Sequence, residues 1–192
     1  MNERALALAS WLALAMLALP CGAIAQDDDE GIDPTQSGYY VALSAGTALD
    51  QFSGGDFDNG YGGGVLAGYR AGQYASVELE AQFLENFETR RGGNNEVDLW
   101  LATVNFRLHV PMGRFEPYLT YGVGALGAES TGAPAARMKR TDLAFKGGAG
   151  LAFFLSDDVS IFGAATYAVP LGSAKKFEHA TFVVGAQYKW EE

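Results

Sequence analysis

The chain has 192 residues and a net charge of -10, from 13 lysines and arginines against 23 aspartates and glutamates. That acidic balance argues against general nucleic-acid binding, which rests on a basic surface. A single cysteine leaves no disulfide framework, and two isolated histidines leave no histidine-built metal cluster.

Residues 1–25 have the pattern of a signal peptide. Arg4 gives a positive start beside Glu3, 5–19 is an apolar run, and Ala23-Ile24-Ala25 supplies small residues for cleavage before Gln26. The run is short for a membrane helix. Leu19-Pro20-Cys21 loosely imitates a lipid-attachment site, but proline before the cysteine fits poorly, so a lipoprotein is the weaker reading. Cleavage removes only Glu3 and Arg4 among the acids and bases, leaving 22 acidic and 12 basic residues and the same charge of -10. Residues 26–37, with Asp27-Asp28-Asp29-Glu30, read as an acidic periplasmic leader. A straight run of acids lacks the alternating carboxylates and glycine turn of a calcium loop.

From residue 38 the chain alternates with period two. Strands are expected at 39–46, 61–70, 74–84, 98–109, 116–126, 143–154, 159–167 and 180–190. In the last of these Phe182, Val184, Ala186, Tyr188 and Trp190 share one face, and Thr181, Val183, Gly185, Gln187 and Lys189 share the other. An apolar face opposite a small or polar one recurs in nearly every strand. A soluble barrel that carries a ligand needs the reverse, whereas a membrane barrel needs an apolar outside. Lipid leaves no backbone group unpaired, so the sheet has to close. The connections 71–73, 110–115 and 155–158 are short, and 47–60, 85–97, 127–142 and 168–179 are long. The fold class is therefore all-β: an eight-stranded antiparallel up-and-down transmembrane β-barrel over 38–192. Short periplasmic turns and long extracellular loops put both termini in the periplasm.

The chain resembles the small eight-stranded bacterial outer-membrane β-barrel family, the OmpA/OmpX-like group. The resemblance rests on Gly38-Tyr39-Tyr40-Val41, Phe115-Glu116-Pro117-Tyr118, Gly122-Val123-Gly124 and Phe154-Leu155-Ser156-Asp157-Asp158, in that order and spacing. Gly185, Tyr188 and Trp190 are similar to the family's C-terminal signature, although Val183 stands where a polar residue is usual and Glu191-Glu192 follow. The resemblance implies residence in the outer membrane and delivery to the barrel-assembly machinery through Gly185, Tyr188 and Trp190. It leaves the role open among anchoring, adhesion, serum resistance, small-molecule passage and lipid modification.

The face opposite the apolar one carries Arg70, Glu78, Glu80, Gln82, Asn105, Arg107, Lys146, Gln187 and Lys189, a polar lumen network. A turn at 71–73 sets Glu80 opposite Gly64 and Gln82 opposite Gly62, and the loop between the third and fourth strands brings Arg107 to a diagonal of Glu78. Eight strands enclose a bore that side chains fill. Paired acids and bases then read as a plug, with an ion pathway along Glu78 and Glu80 as the alternative.

Histidine raises the question of an enzyme. His179 and Thr181, after Glu178, faintly imitate a base–hydroxyl–acid set, as in outer-membrane lipid A-modifying hydrolases and acyltransferases. Glu178 starts on the opposite face, so His179 reads instead as a loop residue, and His109 as a rim residue without an identified partner. The aromatics Tyr39, Tyr61, Tyr69, Trp100, Phe106, Tyr121, Phe153, Phe182, Tyr188 and Trp190 fall on outward faces, where rings settle at membrane interfaces. The basic residues Arg90, Arg91, Arg137, Lys139, Arg140, Lys175 and Lys176 cluster in expected outer loops. They suit the phosphates of lipopolysaccharide, or are ordinary solvated charge. The expected function is a non-enzymatic outer-membrane barrel with an envelope-structural or surface-interaction role and no cofactor. A lipid A-modifying enzyme and a narrow channel for small solutes are the alternatives.

Overall fold

The computed structural model describes residues 35–50, 60–88, 96–131, 139–172 and 178–190. Its strands are β1 (Gly38–Asp50), β2 (Gly60–Arg70), β3 (Ala75–Glu88), β4 (Glu96–His109), β5 (Phe115–Thr131), β6 (Lys139–Phe154), β7 (Val159–Pro170) and β8 (His179–Trp190). Each strand pairs antiparallel with its sequence neighbours, and β8 returns to β1, closing the barrel. No edge strand is left over, so every ladder finds a partner.

The barrel is inside out relative to a soluble protein. Leu43, Leu79 and Val184 are 67%, 63% and 69% exposed on the outer wall, while inward Arg70, Glu78 and Lys189 are 2%, 1% and 2% exposed. Alternation in the sequence produces this directly, since successive side chains of a strand point to opposite faces. Inward glycines let so small a barrel close. A Cβ at Gly124 would lie 1.8 Å from the carbonyl oxygen of Ala102, and one at Gly46 would lie 1.9 Å from that of Phe182.

The connections 71–74, 110–114 and 155–158 mark one end, the turn end, where the chain also enters β1 and leaves β8. The other, the loop end, carries 51–59, 89–95, 132–138 and 171–178. Aromatic rings gird the turn end: Tyr39 lies 4.9 Å from Tyr69 and 6.4 Å from Trp190, and Phe115 lies 4.9 Å from Phe153. All ten aromatics expected on the outside stand at outward positions of their strands.

Three expectations are corrected. The first turn spans 71–74, because Gly72 adopts φ +94° and the Ala71 N–H reaches the Ala75 carbonyl at 2.9 Å. Strand β3 therefore starts one residue later and pairs two residues out of the expected register: Glu80 faces Leu66, Gln82 faces Gly64, and Gly62 faces Leu84. Second, β5 and β6 run past the apolar stretch, so Lys139 and Arg140 belong to β6, opposite Glu129 and Ala128. The outward apolar pattern stops there, but a hairpin ladder can continue into water. Third, His179 is the first residue of β8 and is fully buried.

Candidate functional site

The inward face of the turn end and the waist holds the ionic network. Glu78 pairs in register with Asn105, so Arg107, two residues further along β4, is its diagonal neighbour. Arg107 Nε lies 2.8 Å from Glu78 Oε1. The Tyr40 hydroxyl donates to the same Glu78 oxygen at 2.5 Å, and the Arg107 guanidinium sits 4.2 Å from the centre of the Tyr118 ring. Nearer the waist, Glu80 Oε2 accepts from both Lys146 Nζ and Asn105 Nδ2 at 2.6 Å. Charges removed from water to this degree persist only when paired, and each carboxylate here has a cation against it.

Bulky inward rings lie over inward glycines. A Cβ on Gly68 would come within 2.6 Å of the Tyr40 ring, and one on Gly150 within 2.3 Å of the Tyr118 ring. Tyr118 also joins Ala152 and Phe154 in an apolar patch against Phe162 and Ala164, which fills the β5–β7 side of the same half.

At the turn end a four-residue chain crosses from β2 to β5. Arg70 grips Glu116 with both terminal nitrogens, at 3.0 and 2.6 Å, and donates to the carbonyls of Gly72 and Gln73 in the first turn. Glu116 Oε1 lies 2.7 Å from His109 Nδ1, and His109 Nε2 lies 2.6 Å from Ser76 Oγ. A carboxylate only accepts, so Nδ1 carries a proton and Nε2 of the neutral ring accepts from the serine. His109, for which the sequence identified no partner, thus has two. The sequence reading missed Ser76 and Glu116. The signal was available in the parity of β4, where Asn105 and Arg107 point His109 inward as well.

The array has the order of a nucleophile, base and acid, and it is buried. Ser76 is fully buried, His109 is 5% and Glu116 2% exposed, and Glu116 is committed to Arg70. A nucleophile needs a place beside it where a reacting atom and oxyanion donors can meet. Ser76 sits inside the β2–β3 and β3–β4 ladders, against Arg70 and Arg107. Its hydrogen bond to His109 makes it one end of a latch that ties four strands and one turn.

The residues that faintly imitate a base–hydroxyl–acid set in the sequence stand at the start of β8. His179 and Thr181 face the lumen, buried, while Glu178 accepts from the Tyr167 hydroxyl at 3.0 Å. The acid therefore serves a tyrosine of β7.

The loop half of the lumen departs from the expected polar interior. Leu84, Leu99, Leu101 and Leu126 form one buried cluster with Ala48, Ala128, Ala144 and Ala168. The other expected lumen residues are inward: Gln82 and Lys189 are buried, and Gln187 is half-buried. Arg90, Arg91, Arg137, Lys175 and Lys176 lie outside the described residues, and Lys139 and Arg140 are placed only as members of β6. Among the described residues, no group of three or more His, Cys, Asp or Glu side chains could hold a metal. In the C-terminal stretch Tyr188 and Trp190 stack on the outer wall at 6.2 Å, while Gly185 points inward beneath the Phe162 ring.

Several solved structures have this architecture at little sequence identity. Neisserial surface protein A matches with a TM-score of 0.70 at 16% identity, covering 80% of this chain and 98% of that one. Ail, the attachment invasion locus protein of Yersinia pestis, gives 0.57 at 16% identity over 81% and 99%. OprG from Pseudomonas aeruginosa gives 0.56 at 15% identity over 84% and 100%. No curated protein matches the sequence. The family model for the outer membrane protein beta-barrel domain matches residues 10–189, nearly the whole chain. With the closed eight-stranded barrel and its outward apolar wall, that match places this chain in the outer membrane protein beta-barrel family.

Proposed function

We propose that this barrel works by its surface and not by chemistry, as an integral outer-membrane protein that supports the envelope or attaches to an outside partner. The observation that carries the reading is the filling of the lumen at both ends with side chains already committed to one another, Arg70 with Glu116 and His109 at one and the leucine cluster at the other. What remains available is the outer wall and the loop end.

The short connections face the periplasm in this reading, so both termini lie there and 51–59, 89–95, 132–138 and 171–178 face outward. Residues 1–25 are the export signal and 26–37 the leader. Gly185, Tyr188 and Trp190 present the assembly signature to the barrel-assembly machinery. Lys139 and Arg140, carried on β6 beyond the apolar wall, stand where lipopolysaccharide phosphates would meet them, with Arg90, Arg91, Arg137, Lys175 and Lys176 in the adjoining loops. Ail has been solved in complex with the heparin analogue sucrose octasulfate, a polyanion, on a barrel of this fold. That supports a polyanion as the kind of partner.

The test is binding of the folded barrel to lipopolysaccharide at several salt concentrations. Substituting Lys139, Arg140, Lys175 and Lys176 by glutamine weakens binding and flattens its salt dependence if these groups meet phosphates. Unchanged binding and salt dependence would remove the loop cations from the interface. Recovery of the protein in the soluble periplasm would overturn the reading altogether.

A further inference from the structure

The strands of the loop end do not all stop at one height. β5 and β6 pair without a break as far as Glu129 opposite Lys139, whereas β6 and β7 pair only as far as Ala144 opposite Pro170. Proline has no N–H with which to continue a ladder. One more bond, from the Leu171 N–H to the Leu143 carbonyl at 2.7 Å, ends the seam, and Gly172 at φ +72° breaks the extended run. Residues 139–143 therefore rise above β7 as a strand paired along one side.

Backbone groups of a strand alternate sides, so the bond at Leu143 orients the rest. The N–H and C=O of Leu143, Thr141 and Lys139 face the lane of β7, and those of Asp142 and Arg140 face β5. No described residue bonds the backbone of Thr141 or Lys139 on the β7 side. The connection to β8 is too short to reach Lys139. In the β7 register Lys139 would face residue 175, yet His179 is already back beside Ala168. That is a descent of about 23 Å along the strand axis in a stretch that spans about 13 Å. The outer wall changes character at the same height: Leu143 ends its apolar run, and Thr141 is polar and exposed. The open edge stands in water just above the lipid.

An unpaired strand edge is a template for another strand. We propose that residues 139–143 of β6 are a docking edge for an extended peptide segment of an outside protein, which adds to the wall as one short strand above β7. Main-chain bonds to Lys139 and Thr141 hold it, and the positive charge of Lys139 and Arg140 selects segments rich in aspartate and glutamate. A polysaccharide has no ladder of N–H and C=O groups to offer. A second copy could offer the acidic end of its β3, residues 85–88, but that strand runs on down into its own barrel, and β7 of this one fills the space beneath the edge. The proposal rests on the outward placement of the loop end given above.

The test uses the folded barrel in detergent and a capped synthetic peptide of alternating glutamate and valine, with binding read by calorimetry. The peptide binds, and a copy with N-methylated backbone amides binds roughly tenfold more weakly or worse, since its main-chain bonds are lost. Thr141→Pro removes an N–H from the open side of β6, leaves the β5 ladder whole, and weakens the unmethylated peptide. No binding of that peptide, equal binding of its methylated copy, or unchanged binding to a folded Thr141→Pro would overturn the proposal. If the proline prevents folding, judged by heat-modifiable gel mobility, hydrogen exchange of the unsubstituted barrel decides. The amides of Lys139 and Thr141 gain protection when the peptide is bound, and exchange unchanged at both would sink the idea. Self-association of the barrel that the peptide displaces would give the edge to a second copy and overturn the choice of occupant. Lipopolysaccharide binding by Thr141→Pro stays as in the parent, because every loop cation is kept, so the docking edge and the surface reading fail separately.

Discussion

The turn half and the loop half of this lumen solve one problem, filling a narrow bore, with opposite chemistry. In the turn half, orientation is everything: Glu78 touches Arg107 and Tyr40, Arg107 lies over Tyr118, and Glu116 is shared by Arg70 and His109. In the loop half, Leu84, Leu99, Leu101 and Leu126 need only volume and shape. Ion pairs are directional and intolerant of a missing member, because the survivor is left charged in a place without water. Apolar packing is non-directional and loses stability in proportion to what is removed. The difference teaches where this barrel can change: substitutions of similar shape pass in one half and fail in the other.

The largest effect is expected from Arg107→Ala. It leaves Glu78, 1% exposed, without its cation, at a cost of about 4 kcal/mol, as for other broken buried pairs. Denaturant unfolding of the barrel in detergent, followed by gel mobility, measures it. Adding Glu78→Ala recovers part of the loss, so the double change costs less than the sum of the singles. Arg107→Met fails as well, since shape without charge does not help. Strict additivity, or a tolerated Arg107→Met, would erase the distinction between the halves.

How far this arrangement could be read from the sequence follows from the same physics. Period two separates wall from lumen without any tertiary knowledge, which is why Arg70, Glu78, Glu80, Gln82, Asn105, Arg107 and Lys146 were legible as inward residues. Register was less legible, because it depends on one dihedral: Gly72 at φ +94° lengthens the first turn and moves Glu80 from Gly64 to Leu66. The diagonal of Glu78 and Arg107 depends on the β3–β4 register, and there the two residues do meet. The leucine cluster was present in the parity of β3, where Leu84 follows Glu78, Glu80 and Gln82 on one face. Reading that face as uniformly polar averaged over a change of chemistry partway along it. The latch was harder, because Ser76, His109 and Glu116 lie on three strands and their meeting depends on two registers at once.

A smaller effect belongs to the loop half. Leu126 is fully buried, so Leu126→Ala removes packed volume and costs about 3 kcal/mol, within the usual span for buried leucine. The informative variant is Leu126→Met, which conserves volume and costs less than about 1.5 kcal/mol. The pair of measurements sharpens the comparison: a shape-conserving change passes at Leu126 and fails at Arg107. A Leu126→Met as damaging as the alanine would mean that the leucine cluster is as exacting as the ion pairs.

The smallest expected effect is at Ser76, and it separates a latch from a hidden enzyme. In the latch, the serine hydroxyl satisfies His109 Nε2 at 2.6 Å and does nothing more. Ser76→Ala then costs one hydrogen bond and leaves one buried nitrogen unmet, about 1–2 kcal/mol. Glu116 and Arg70 keep their own bonds, so the turn 71–74 stays tied to β5. An activated serine predicts something different: covalent reaction with an organophosphorus reagent, lost on His109→Ala. Full burial of Ser76 and the commitment of Glu116 to Arg70 argue for no reaction in the folded barrel, which mass spectrometry of the reagent-treated protein reads directly. Labelling at Ser76 that depends on His109 would turn the most ordered part of the polar half into a catalytic site.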